Sequence, residues 1–276
     1  MNNNNFDLVI EPNKTTADLF KELLRYKELF AFLAWRDILI RYKQTVIGVA
    51  WSVIRPLISM VVFTFVFGRV AKLPNEGVPY GIMVFAAMLP WQYFANAMQE
   101  SANSLLRSSQ LISKIYFPRI ILPASSVIVS AVDFLISLVL LLMLMAWYRF
   151  MPSPLILLMP VFFIPATMTA LGIGFWFSAL GVKYRDFYHL LPFMVQFGMY
   201  VSPVGFSSSI VPERWRFIYS LNPMVGVIDG FRWCVQGASV PLYIPGVINA
   251  FVISILVFFS GVWFFRRFER SFADFI

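Results

Sequence analysis

The chain has 276 residues, 59% of them hydrophobic and 13% charged, with a formal net charge of +8. Soluble domains carry about 25% charged residues, so this composition excludes an ordinary soluble fold and points to one transmembrane domain over residues 1–276. A lone cysteine, Cys234, and a lone histidine, His189, exclude a disulfide framework or a zinc site within one chain, so no metal ligands are expected.

Residues 1–45 read as a cytoplasmic, interfacial segment. Thr15 and Asp18 form a capping-box pattern, and Leu19, Leu23, Tyr26, Phe30 and Leu33 then recur at helical spacing, opposite Asp18, Lys21, Arg25 and Glu28. That pattern predicts an amphipathic helix lying in the membrane interface. Residues 1–16 lack the apolar core of a cleavable signal, so the first spans are expected to direct insertion. Basic helix continues over residues 36–43, with Asp37 four residues before Arg41.

Residues 46–265 are expected to hold six transmembrane helices. The runs 56–68, 77–99, 120–148, 150–182, 187–212 and 233–265 contain no Lys or Arg and a single acid, Asp133. A hydrocarbon core needs roughly 20 apolar residues per helix. The first run reaches that length only by taking in residues 46–54, with Arg55 snorkelling to the headgroups. Of the 22 Lys and Arg residues, 16 fall in the first, third, fifth and last gaps of this pattern and 6 in the others. That asymmetry places both termini, including a tail at 266–276, in the cytoplasm, and topology with anionic lipid explains the net charge without nucleic acid.

The second cytoplasmic gap, residues 100–119, is longer than a turn requires. It mixes Ser and Asn with Leu105, Leu106, Arg107, Leu111, Ile112 and Lys114, which suits a short helix docking on a protein surface. In the third gap Asp186 and His189 read as an interfacial pair, since one His and one Asp make a poor metal site. Between the fifth and sixth runs, the apolar stretch 217–228 is followed by Asp229, Gly230, Phe231 and Arg232, then by a run broken at Gly237, Pro241 and Pro245. Segments of this length are too short to span, and two short helices re-entering from the outer face are predicted.

No Gly-rich loop followed by Lys and Ser or Thr occurs, so ATP-driven work requires a separate subunit. With one mid-span ionisable group, proton or sodium coupling is disfavoured. Asp133 shares a helical face with Ser126, Ser130 and Ser137; Gln92, Asn96, Gln99 and Asn103 repeat that spacing after Pro90 and Trp91; Gln196 and Tyr200 sit one turn apart. Interhelical hydrogen bonding accounts for the serines. Amides beside Trp91, Tyr93, Phe94 and Tyr200 suit a sugar, whose hydroxyls need donors and acceptors and whose apolar face packs on rings; interfacial aromatic belts account for the same rings equally well. Ala170, Gly174 and Ser178 form a small-residue ridge for close helix packing.

The segments YKQTVIGVAWSVIRPL (residues 42–57), LISKIYFPRIILP (111–123), ALGVKYRDFYHLLP (179–192) and YSLNPMVGVIDGFRW (219–233) resemble, in order, the motifs of permease subunits of bacterial ABC exporters of cell-surface polysaccharide, the group that handles O-antigen, capsule and teichoic acid. The resemblance implies a homodimer in the cytoplasmic (inner) membrane, joined to two copies of a separate ATPase subunit that carries the ATP and Mg, with no cofactor in this chain. It further implies a coupling helix at about residues 101–114 and re-entrant helices before the last span.

The expected function is therefore a channel-forming, non-enzymatic permease for a lipid-linked glycan, foremost O-antigen. Its expected substrate path comprises Trp91, Gln92, Tyr93, Asn96, Asp133, Gln196 and Tyr200, and its expected ATPase contact Leu105, Leu106, Arg107, Leu111 and Lys114, with no catalytic residues. A drug or small-lipid exporter of related design would have a narrower, drier cavity. An integral-membrane lipid-linked glycosyltransferase would need clustered acids near one interface, where only Glu76, Glu213 and Asp229 are available.

Overall fold

The computed structural model describes residues 25–43, 48–74, 77–115, 117–184, 186–237 and 242–269. The capping box at Thr15 and Asp18 and the tail beyond 269 lie outside the described residues. Among those described, every regular element is helical.

In chain order these are α1 (Lys27–Tyr42), α2 (Gly48–Phe63, continued by a π-helical turn over Thr64–Val70), α3 (Tyr80–Arg107), α4 (Ser109–Ile112), α5 (Ile121–Trp147), α6 (Met159–Lys183), α7 (Phe187–Val201), α8 (Glu213–Tyr219), α9 (Pro223–Gln236) and α10 (Ile244–Glu269). Local chemistry sets several of these boundaries. Ser153 caps the 3-10 turn Pro154–Leu158 that leads into α6, its hydroxyl accepting from the Leu155 N–H at 3.3 Å. Asn222 caps α9 by accepting from the Met224 N–H at 3.1 Å, with Pro223 in the first turn where no N–H is needed. Gly237, at φ +78°, ends that helix in a conformation that costs other residues more.

Among the described residues, four helical stretches are long and apolar enough to cross a membrane: Ala50–Val70, Ile121–Trp147, Pro154–Lys183 and Ile244–Glu269. The two remaining expected spans differ for separate physical reasons. Helix α3 has ample length at 28 residues, but Gln92, Asn96, Gln99, Glu100 and Asn103 lower its hydropathy, and protein covers it more than lipid would. Helix α7 ends after 15 residues, about 22 Å at ~1.5 Å per residue, and the chain turns away at Ser202. Two short helices, α8 and α9, stand in the chopped region, though the break falls at residues 220–222 rather than after Ile228.

Helix α3 occupies the centre, packed against α5 and α6, and α10 lies along α6. Small residues permit that closeness. A Cβ on Gly172 would stand 2.6 Å from the Val257 carbonyl oxygen of α10, and one on Gly174 would stand 2.4 Å from Ser101 Oγ of α3. Ala170 and Ser178 are fully buried on the same helix, so the ridge seen in sequence packs as expected. A second apolar cluster joins Leu33 of α1 to Leu105, Ile121, Phe175 and Phe265. Leu33 is fully buried there, so α1 is packed on the bundle through this side chain. Large apolar side chains elsewhere, such as Ile58, Val61 and Phe65 on α2 and its π turn and Leu135 and Val139 on α5, face outward.

Candidate functional site

Asp133 lies on α5 about 21 Å from Trp147 at ~1.5 Å per residue, well inside a core ~30 Å thick. An isolated carboxylate at that depth is expensive. The structure compensates it from three directions. Ser52 Oγ of α2 donates to Asp133 Oδ1 at 3.2 Å, Tyr42 OH at the end of α1 donates to the same oxygen, and Arg41 Nη2 stands 2.5 Å from Oδ2. Burial first, and then the hydrogen bond to and charge of Asp133, push the Tyr42 phenol well above its ordinary pKa, so Tyr42 remains a proton donor.

Around this group lies a cavity of about 300 Å³ between α1, α2, α3 and α5. Gln92, Tyr93 and Asn96 line it from α3, Ser130, Asp133 and Ser137 from α5, and Ser52, Arg55 and Ser59 from α2. Ser130 Oγ is buried without a protein hydrogen-bond partner, leaving a hydroxyl available to water or ligand. The cavity sits at the lower end of the ~300–1,000 Å³ range of small-molecule sites, so it holds a headgroup or a sugar ring but not a polymer.

The expected path residues divide. Gln92, Tyr93, Asn96 and Asp133 converge on the cavity. Tyr93 contributes its ring edge, because its hydroxyl pairs with Thr167 Oγ1 at 2.8 Å and its ring packs 4.3 Å from Phe163. Trp91 points elsewhere: it is buried with its ring 2.8 Å from where a Cβ on Gly198 would stand, packing α3 on α7. Gln196 and Tyr200 are exposed on α7, away from the cavity. Gln99 and Asn103 bond back to their own helix, at Ala95 O and Gln99 O, and Ser126 does the same at Pro123 O.

The expected ATPase-contact residues also divide. Leu105 is fully buried in the second apolar cluster and Leu111 is half-buried against it, whereas Leu106, Arg107 and Lys114 are exposed. Exposed Ile115, absent from the sequence expectation, extends that surface. Beyond it the loop is tied to α10: the Arg119 N–H donates to Glu269 Oε1 and Arg119 Nη1 to the Glu269 carbonyl, both at 2.9 Å.

Arg41, Tyr42, Ser52 and Arg55 were not among the expected site residues. The signal for them was the cost of Asp133 itself, which requires a cation, and the basic stretch ending α1 supplies one. Arg232 is buried, donating to the carbonyls of Phe206 at 2.6 Å, Val204 at 3.1 Å and Met83 at 3.4 Å. On the same helix Asp229 accepts from Ser208 Oγ at 2.6 Å. Together these bonds hold α9 to the segment that follows α7. Among the described residues, no three His, Cys, Asp or Glu gather where a metal could bind.

The family model described as ABC-2 type transporter matches residues 28–235. The chain is similar to the O-antigen export system permease protein RfbA of Klebsiella pneumoniae, at 27% identity over 256 residues, covering 90% of this chain and 94% of that protein. It is likewise similar to the protein of the same name from Myxococcus xanthus, at 26% identity over 258 residues, covering 93% of this chain and 98% of that one.

Proposed function

This chain belongs to the ABC-2 type transporter family, and we propose that it is the channel-forming permease subunit of an ATP-driven exporter of lipid-linked O-antigen across the bacterial inner membrane. The observation that carries this reading is the end-to-end similarity to permeases named for O-antigen export, which spans over nine-tenths of each relative. A cavity lined by Gln92, Asn96, Ser130 and Asp133 suits a hydrated cargo and disfavours a drug or small-lipid exporter. Similarity to transport permeases disfavours the glycosyltransferase.

In this reading α3 and α7 complete a six-helix membrane domain, α8 and α9 re-enter from the outer face, and both termini are cytoplasmic. A cavity of about 300 Å³ is too small to pass a polymer, which favours two copies of the chain enclosing the route between them. Two copies of a separate P-loop subunit bind ATP and Mg and act on the surface that includes Leu106, Arg107, Leu111 and Lys114. This chain performs no hydrolysis.

Depletion of the protein in cells tests the reading. Lipid-linked O-antigen should accumulate on the cytoplasmic leaflet while its synthesis continues. Normal surface O-antigen in depleted cells would refute the assignment.

A further inference from the structure

One guanidinium serves carboxylates on two helices. Arg41 Nη1 stands 3.5 Å from Glu100 Oε1 on α3, while Arg41 Nη2 stands 2.5 Å from Asp133 Oδ2 on α5. Glu100 is itself divided, because its second oxygen accepts from Arg107 Nη1 at the last residue of α3. The four charges form a row that begins beside α4, at an arginine with a 61% exposed side chain, and ends at the cavity wall, at an aspartate with a 12% exposed one.

The contacts in this row differ in how readily they break. The Asp133 end is desolvated and shared with Tyr42 and Ser52, so separating Arg41 from it leaves a charge stranded inside the bundle. The Arg41–Glu100 contact is long and Glu100 has Arg107 as a second cation, so losing it strands nothing. Glu100 is thus shared between Arg41 and Arg107, and its Arg41 contact is the one that can be lost while Arg41 keeps Asp133.

We infer that Arg41 is a positioning residue that links the cytoplasmic end of α3, next to the ATPase-contact surface, to the electrostatics of the Asp133 cavity. This inference rests on the permease reading above. The role needs the forked guanidinium, since its two nitrogens face two carboxylates and a lysine has only one nitrogen to offer.

The test uses the chain with its P-loop partner in lipid vesicles, measuring glycan moved per ATP hydrolysed. Arg41→Lys keeps the charge that Asp133 requires but loses the fork, and Glu100→Gln removes the exchangeable contact. Each should lower export per ATP about tenfold, the size of an ordinary coupling free energy. The double variant Arg41→Gln/Asp133→Asn, which leaves neither charge stranded, should fold and show the same fall. A purely structural ion pair would be satisfied by Arg41→Lys and by the neutral double variant, and wild-type export per ATP in both would overturn the inference. If Arg41→Lys fails to fold, Glu100→Gln, at the solvent-reaching part of the row, decides. Absence of ATP-driven movement in the wild type would instead remove the permease reading, so the two failures are distinguishable.

Discussion

The Asp133 carboxylate of α5 and the Arg41 guanidinium of α1 approach to 2.5 Å, joining an acid deep in the bundle to the last turn of the helix that precedes the first span. Because Leu33 is also buried in the second apolar cluster, α1 is held at its middle as well as at its end and is part of the bundle's packing. Asp133→Asn removes one side of this pair and takes from Arg41 the nearer of its two carboxylates. Asp133→Asn is expected to destabilise the protein by about 1–3 kcal/mol, less than for a fully buried pair because Arg41 is partly exposed. Thermal unfolding in detergent should show a lower midpoint, and an unchanged midpoint would mean that the pair contributes nothing to the fold.

Leu105 and Leu106 are neighbours with opposite environments. Leu105→Asp places a charge in the second apolar cluster and should cost more than about 3 kcal/mol, seen as loss of folded protein on size exclusion. Leu106→Asp, on a side chain that is half exposed, should fold and instead weaken co-purification with the P-loop subunit. Normal co-purification of Leu106→Asp would remove this surface from the ATPase contact.

Close packing of α6 predicts two glycine substitutions with different remedies. Gly172→Ala would push its Cβ onto the Val257 carbonyl and the Phe258 Cα of α10, where backbone must move, at a cost of about 1–3 kcal/mol that no single partner change relieves. Gly174→Ala clashes with the Ser101 side chain while the Met98 carbonyl stays at an ordinary 3.5 Å, so Ser101→Gly should restore its thermal midpoint. Failure of that rescue would show that α3 and α6 are not in this register.

The raised Tyr42 pKa carries a sign. The folded protein retains the phenolic proton to higher pH than the unfolded chain, so stability from this group is constant at neutral pH and falls as pH rises above the ordinary phenol value of about 10. Tyr42→Phe should flatten the decline of the thermal midpoint above that pH. An identical slope in the variant would exclude the Tyr42–Asp133 bond.

The membrane class and the two short helices before α10 were legible because they depend on charge-free run length and turn residues, which are local properties. The Asn222–Pro223 pair that starts α9 was equally local, a cap followed by a first-turn proline, and would have moved the predicted break to residues 220–222. Hydropathy alone does not reveal α3 as the central helix, since protein surrounds it and its Gln92 and Asn96 face a cavity shared with α5 and α2. Gln92, Asn96 and Asp133 could be aligned on helical faces from spacing, but the rotation that turned them toward one cavity, and Trp91 and Gln99 away from it, is set by tertiary packing. Spacing also gave no warning that the partners of Asp133 come from α1 and α2, because those contacts join distant parts of the chain.

Reconstitution of the purified chain in lipid vesicles, with and without its P-loop subunit, tests the central claim that this protein forms a polar route driven by a motor on another chain. The account predicts ATP-dependent movement of lipid-linked glycan only when both subunits are present, and no hydrolysis by this chain alone. ATP hydrolysis by the isolated chain, or glycan movement at full rate without the partner, would contradict it.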